Sequence, residues 1–146
     1  MKLTLLVALP LLIMSSPAEA KPALKWINSA PPGLPKGATF AVLAGDPGKA
    51  GKFTIRIKMP TRYAVPPHWH PTDEKVTLVS GKLSYGMGKQ FDRPGAKGLG
   101  VGKSIVMKAK MNHWVFTGDG AVVEVSAMGP FKITYANPKD DPRKKK

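Results

Sequence analysis

The sequence contains no cysteine, and this absence excludes several arrangements at once. Disulfide bonds, on which many small exported domains depend, cannot form. A lipoprotein is excluded too, because no cysteine is present to carry the lipid. The chain is long enough for one domain that buries roughly two-thirds of its unfolded surface, and we expect this domain to be stabilised by its hydrophobic core.

Acidic residues are few. The chain has 9 Asp and Glu against 23 Lys and Arg, which gives a formal net charge of +14. Such a surface attracts polyanions and anionic membrane faces. The lysines are scattered, however, and no helix-turn-helix, RNA-binding strand signature or zinc-finger spacing is present, so we expect no specific nucleic-acid partner. Residues 138–146 are expected to form a solvated basic tail, with loose adhesion to envelope polyanions as the alternative.

Long apolar runs are confined to the amino terminus. Lys2 precedes an apolar stretch from Leu3 to Met14, and the small-x-small triplet at residues 18–20 follows. This order is typical of a secretory signal peptide. We therefore expect residues 1–20 to be removed, the mature chain to begin at Lys21, and the protein to be exported to the periplasm or secreted. No later segment is apolar enough to predict a transmembrane span.

Short alternating segments separated by glycine and proline turns make up the rest of the chain. Residues 21–37 are rich in proline and glycine and are expected to form an arm, with Trp26 and Ile27 anchored in the core. About eight or nine short strands, without a convincing helix after the signal peptide, predict an all-β sandwich or barrel. Period-2 alternation identifies the side chains that should face its interior. They are Phe53, Ile55, Ile57, Val76, Leu78, Val123 and Val125.

Two of the three histidines lie on one face of a predicted strand. His68 and His70 flank Trp69, so a strand would direct both imidazoles to the same side. Glu74 follows a turn-forming cluster that can bring its carboxylate back to the same point, and His113 lies in a later predicted strand. Imidazole and carboxylate are ligands that mid-row divalent metals accept. The four residues are therefore the predicted metal ligands, and the alternative is that they are ordinary hydrogen-bonded residues.

The spacing around the first two histidines resembles the first motif of the cupins. That motif runs glycine, five residues, His-x-His, three or four residues, glutamate, six residues, glycine. His68, His70, Glu74 and Gly81 stand at the required spacing, whereas Arg62 replaces the opening glycine.

The region around His113 resembles the second cupin motif less closely. That motif runs glycine, five residues, Pro-x-Gly, two residues, histidine, three residues, asparagine. Gly102 and His113 match it, but Lys108 and Lys110 occupy the proline and glycine positions and Thr117 the asparagine position. The resemblance covers about residues 38–135, and the segments 32–37 and 129–131 look like those of small exported single-domain cupins.

This resemblance implies an all-β, double-stranded β-helix fold, the jelly roll of the cupins, over residues 38–137. It implies a divalent metal ion inside the barrel, for which the ligand set favours Mn or Fe and also accepts Zn, Ni, Co or Cu. Such a site would bind or act on a small molecule, for instance as a dioxygenase, an isomerase or a decarboxylase. No catalytic side chain is assigned, and Tyr85, the candidate proton donor, is more typical of a core tyrosine.

Two classes of function remain open. A metal-dependent enzyme needs an open pocket with exchangeable metal positions, whereas a non-catalytic binding or sensing module can have a barrel that its side chains nearly fill. Binding of polyanions through the basic surface is the weakest alternative. A strand exposing Trp114 and Phe116 would suit a homodimer.

Overall fold

A computed structural model describes residues 23–145, so the predicted signal peptide and the predicted mature terminus at Lys21 lie outside the described residues. This part of the chain forms ten strands and two short 3-10 turns. The 3-10 turns are Pro138–Asp140 and Pro142–Lys144. The strands are β1 (Thr39–Ala44), β2 (Gly51–Met59), β3 (Tyr63–Trp69), β4 (Glu74–Gly81), β5 (Leu83–Met87), β6 (Lys97–Leu99), β7 (Ser104–Met107), β8 (His113–Thr117), β9 (Ala121–Gly129) and β10 (Thr134–Tyr135).

The strands form two five-stranded antiparallel sheets. One has the order β1-β2-β9-β4-β7 and the other the order β10-β3-β8-β5-β6. This arrangement of antiparallel sheets around one core confirms the predicted all-β jelly roll. Within residues 23–145, no helix has the length and apolar character needed to cross a membrane.

The core lies between the inner faces of the two sheets. All seven side chains that alternation placed inside are at most 5% exposed, which confirms that prediction. The register shows why they pack well, because β9 is central and its Val125 stands opposite Ile55 on one side and Val76 on the other. Cross-strand neighbours on one face of a sheet are close enough to exclude water together.

Four backbone positions of the two motifs adopt left-handed conformations. Gly81 and Gly102 have φ angles of 82° and 77°. Arg62 and Lys110, which replace motif glycines, have φ angles of 56° and 62°, and they are the non-glycine residues with positive φ in the described part of the chain. At Gly81 a side chain would collide with the carbonyl oxygen of Gly120. The turns before β3 and β8 therefore adopt a left-handed conformation even though Arg62 and Lys110 replace the motif glycines.

The amino-terminal arm contacts the barrel differently from the prediction. Trp26 and Ile27 are 38% and 44% exposed, so the expectation that they are anchored in the core is wrong. Ile27 instead pairs with Phe40 through two backbone hydrogen bonds, which extends the edge of β1 by one bridge. Pro31 and Leu34 of the arm are buried, Leu34 at 7% exposed, and the Tyr63 hydroxyl donates to the carbonyl oxygen of the neighbouring Pro35.

The carboxyl-terminal segment is only partly the solvated tail that its charge predicts. Asp141 is 7% exposed, and the guanidinium of Arg143 donates to both of its carboxylate oxygens at 2.8 and 2.9 Å. The same guanidinium donates to the carbonyl oxygen of Ile133. The Tyr135 hydroxyl donates to the carbonyl oxygen of Gly33, so the two ends of the described chain are tied to the same part of the barrel.

The outer face of the second sheet is covered. Trp114 is 1% exposed, because the Phe91 ring packs on it with centroids 4.6 Å apart and Gly86 leaves no side chain beneath the indole. Arg93 lies 3.9 Å from the centroid of the Phe116 ring. Trp114 is therefore packed within the chain and not exposed, and the homodimer stays a prediction. The segment between β5 and β7 contains the short strand β6.

Candidate metal centre

The four predicted ligands come together at one end of the barrel. His68 lies near the end of β3 and stands directly opposite His113, the first residue of β8, while His70 follows β3 by one residue. Glu74 begins β4 and approaches from the other sheet. All four are buried, with exposures of 4%, 1%, 5% and 7% for His68, His113, His70 and Glu74. The cluster therefore lies inside the barrel, between the two sheets.

The distances among the four side chains are compact. One ring nitrogen from each histidine lies within 4.8 Å of the other two. The Glu74 Oε2 atom lies 3.5 Å from His70 Nε2 and 3.6 Å from His113 Nε2. With ligand bonds of about 2.1 Å, adjacent donors around one ion are about 3.0–3.4 Å apart. The two distances from Glu74 are close to that range, and the three histidine nitrogens lie within the wider limit of 4.8 Å.

Every imidazole uses its Nδ1 atom to bind the backbone. The bonds run from His68 to the Pro66 carbonyl at 2.7 Å, from His70 to the Lys132 carbonyl at 2.7 Å, and from His113 to the Met111 carbonyl at 3.0 Å. A carbonyl oxygen can only accept, so each Nδ1 atom carries the hydrogen. In a neutral imidazole, the Nε2 atom then presents a lone pair.

When all three imidazoles are neutral, three lone pairs and one carboxylate meet without a donor among them. The Nε2 atom of His113 is fully buried and has no hydrogen-bond partner. A buried acceptor left unpaired costs about 1–3 kcal/mol, and the cost is larger beside a carboxylate. A cation at the centre of the cluster would satisfy all four groups. Nitrogen and oxygen donors of this kind fit a divalent transition metal.

The electrostatics of the cluster favour the ligand forms of these side chains. Burial, followed by repulsion from His113 and His70, lowers the pKa of His68 to about 3. Burial also opposes ionisation of Glu74, but His70 and His113 outweigh it and lower the pKa of that carboxyl to about 2. At neutral pH, His68 is therefore neutral and Glu74 is ionised, as metal ligation requires.

Two turns that carry ligands are hydrogen-bonded to each other. The Asp73 carboxylate accepts from the Ala109 N–H at 2.8 Å and from the Lys108 ammonium at 2.9 Å. The Lys110 N–H donates to the carbonyl oxygen of His70 at 2.8 Å. The turn before Glu74 and the turn before His113 are thus held in one arrangement. Lys108 and Lys110, which replace the proline and the glycine of the second motif, contribute to this arrangement.

The space beside the cluster is small and apolar. A cavity of about 40 Å³ borders the four ligands, and its remaining walls are hydrophobic. This volume holds about one or two water molecules. Leu34 from the arm closes part of it, and the Phe131 ring packs on His70 with centroids 5.3 Å apart.

The structure also identifies residues that sequence reasoning missed. Leu34 and Phe131 were not expected at the site, and Tyr135 lies with its ring centroid 5.9 Å from that of His68. Tyr85, the candidate proton donor, packs against the core and does not line the cavity, which agrees with its interpretation as a core tyrosine. The carbonyl that orients His70 belongs to Lys132, 62 residues away, so no local pattern could have indicated it.

No family model matches the sequence, and no curated protein matches it. Solved structures do match. A polyketide cyclase from Streptomyces resistomycificus superposes with a TM-score of 0.64 and 19% identity, covering 82% of this chain and 84% of the cyclase. A cupin 2 domain-containing protein from Halorhodospira halophila gives 0.57 and 14%, covering 71% of this chain and 73% of that protein.

A DMSP lyase from Ruegeria pomeroyi also gives a TM-score of 0.57, with 20% identity over 68% of this chain. The match covers 52% of the lyase, so this chain spans about half of its length. Likeness at such identities establishes a shared fold. The chain therefore has the cupin fold that its two motifs predicted.

Proposed function

We propose that the protein is a metal-binding cupin in which His68, His70, Glu74 and His113 hold one divalent ion and bind or act on a small molecule. The observation that carries this proposal is the orientation of the imidazoles, whose Nδ1 atoms all bind backbone carbonyls. Their Nε2 atoms are thereby left as acceptors around a buried carboxylate. The cupin fold of a polyketide cyclase and a DMSP lyase supports small-molecule chemistry by analogy.

Each part of the cluster has a definite task in this proposal. A bound ion supplies Lewis acidity toward a small ligand. The backbone carbonyls hold the imidazoles in position, Glu74 contributes the only negative charge, and the apolar walls limit entry of water. Mn or Fe is the proposed metal, with Zn, Ni, Co or Cu as alternatives. A dioxygenase, an isomerase or a decarboxylase would be consistent with such a site.

A second candidate is a non-catalytic cupin that binds or senses a metal ion or a small ligand. The observation that favours it is the closed site, because the ligands are at most 7% exposed and the adjoining cavity is about 40 Å³. An enzyme acting on a larger molecule would have to displace Leu34 or Phe131 to admit it. Catalysis of any small-molecule reaction by the metal-loaded protein decides between the two candidates.

The metal proposal is tested by calorimetry and metal analysis. Purified protein should contain a divalent metal in a ratio of about one per chain, and adding Mn, Fe or Zn to metal-free protein should raise its melting temperature. At about 100 times the dissociation constant, the gain is about 2.7 kcal/mol. Glu74→Gln should lose most of this gain because it removes the charged ligand. Glu124→Gln is the matched control, since Glu124 pairs with Arg56 outside the site.

A melting temperature that none of these metals changes would contradict the proposal. Equal responses in the Glu74 and Glu124 variants would do the same, because they would place the bound metal elsewhere. His113→Ala adds a second check. It should weaken metal binding while leaving a folded barrel, since His68, His70 and Glu74 belong to other strands and turns.

We further propose that the protein is exported. The support comes from the order of charge, apolar run and small-x-small triplet in residues 1–20. Mass spectrometry of protein from the envelope or the medium should give a mature chain beginning at Lys21. An intact Met1, or retention in the cytoplasm, would show that this segment is not removed for export.

A further inference from the structure

A second, smaller space also borders two of the four predicted ligands, His70 and Glu74. This crevice, of about 10 Å³, lies between the turn at Pro71 and Thr72 and the segment 128–132. His70, Glu74 and Phe131 line both the crevice and the larger cavity. Phe131 thus stands between the two spaces. Its ring is only partly buried, and it packs edge-on against Phe53 with centroids 6.1 Å apart.

The surroundings of the crevice are positively charged. Lys132 lines it, Lys52 stands opposite its wall residue Met128, and Lys110 bonds to the backbone of His70. All three lysines are exposed, and no carboxylate within residues 23–145 forms an ion pair with any of them. The nearby Asp73 carboxylate is already paired with Lys108. Among the described residues, Glu74 is the carboxylate that lines the crevice, at its inner end beside His70.

The net charge of a metal-loaded site would also favour a negatively charged ligand. Three neutral imidazoles and one carboxylate contribute a single negative charge, so a divalent ion would leave a net positive charge among buried groups. Burying an uncompensated charge is costly. A ligand that carries one negative charge would therefore be favoured over a neutral molecule of the same shape. The cavity of about 40 Å³ restricts such a ligand to a few atoms.

We propose that this crevice is the entrance to the site, that Phe131 is its gate, and that Lys132 makes it selective for small anions such as formate. The inference rests on the proposed function, because it requires an ion at the four ligands. It assigns to the chain a ligand class, an entry route and two residues outside the ligand set. Lys132 acts through its side-chain charge here, while its backbone carbonyl separately orients His70.

The test is isothermal titration of the Zn-loaded full chain with formate and with formamide, its neutral counterpart, at equal ionic strength. Formate should bind and formamide should bind much more weakly. Lys132→Gln should weaken formate binding by about twofold to fivefold, the range for a solvent-exposed charge. Lys58→Gln is the control. Lys58 lies on β2 six residues beyond Lys52, about 20 Å along the strand, and should leave formate binding unchanged.

The gate is tested by the rate of formate binding in stopped flow. Phe131→Ala should raise the association rate and admit larger anions such as benzoate. The milder Phe131→Leu should have the same two effects to a smaller extent, and it replaces the alanine variant if that variant does not fold. Phe91→Ala, an aromatic truncation on the outer face of the other sheet, should do neither. Equal binding of formate and formamide, or an unaltered rate in both Phe131 variants, overturns the inference and leaves the metal proposal standing. Failure of Zn to bind overturns both.

Discussion

Individual residues of this chain hold backbone conformations that a glycine would hold more easily. Arg62 and Lys110 have φ angles of 56° and 62°, where a side chain costs about 1–2 kcal/mol. Both lie in turns that lead into ligand-bearing strands, β3 and β8. The hydrogen bond from Lys110 N–H to His70 and the packing of the barrel keep the second turn in place. A local strain is thus tolerated because tertiary contacts determine the path.

Replacing Lys110 with glycine should stabilise the protein. The substitution relieves the left-handed strain, and the greater flexibility of glycine in the unfolded chain offsets part of the gain. We expect the free energy of unfolding to rise by about 0.5–1 kcal/mol in urea denaturation. Lys58→Gly, in β2 between its partners Thr39 and Val122, is the control and should lower it by a similar amount. A loss of stability in Lys110→Gly would show that its side chain has a contact more important than the strain.

At the scale of elements, the site depends on how two turns are joined. Asp73 binds the Ala109 N–H and the Lys108 ammonium, so it connects the turn before β4 to the turn before β8. These turns position Glu74 and His113, which come from different sheets. We therefore expect Asp73, which does not line the cavity, to influence the distance between Glu74 and His113.

Asp73→Asn should weaken metal binding without removing a ligand. The amide keeps the shape of the carboxylate but loses its charge toward Lys108, so the two turns should separate more easily. We expect about threefold to tenfold lower metal affinity by competition with a chelator, at the low end of the effect of groups that support metal ligands. Asp119→Asn, in the exposed hairpin between β8 and β9, should leave the affinity unchanged. Equal affinities in the two variants would rule out a positioning role for Asp73.

The elements also show how far the sequence predicts this structure. Alternation in β2 and the spacing of His68 and His70 are local patterns, because a strand repeats every two residues, and both predictions agree with the structure. Leu34 and the Lys132 carbonyl reach the site from distant segments, and nothing in their neighbours indicates where those segments pack. The contact that covers Trp114 could not be predicted for the same reason, since Phe91 reaches it from the loop between β5 and β6.

At the scale of the whole molecule, the buried cluster makes stability depend on pH in the absence of metal. The pKa of His68 is lowered to about 3 in the folded chain, whereas an unfolded histidine titrates near 6.5. Below about pH 6.5 the unfolded chain therefore binds a proton that the folded chain does not. Stability falls as the pH falls through this window, by about 1.4 kcal/mol per pH unit for each such proton.

We expect this loss in urea denaturation of metal-free protein between pH 6.5 and 5. Glu74 contributes little in that interval. Its pKa is 4.5 in the unfolded chain and lower in the folded chain, so its share of the loss begins only below that interval. His68→Gln should show a shallower dependence on pH than the original chain. Identical slopes would mean that His68 takes up its proton equally well in the folded and unfolded states.

The central position of β9 has a consequence for the timing of folding. Residues 121–129 lie between β2 and β4, so these two strands have no partner in the middle of their sheet until that late segment is made. Synthesis of 146 residues takes about 7–30 s at ordinary rates of translation. For most of that interval the emerging chain cannot complete the sheet that contains β2, β9 and β4. We therefore expect the barrel to close only after nearly all of the chain has been made.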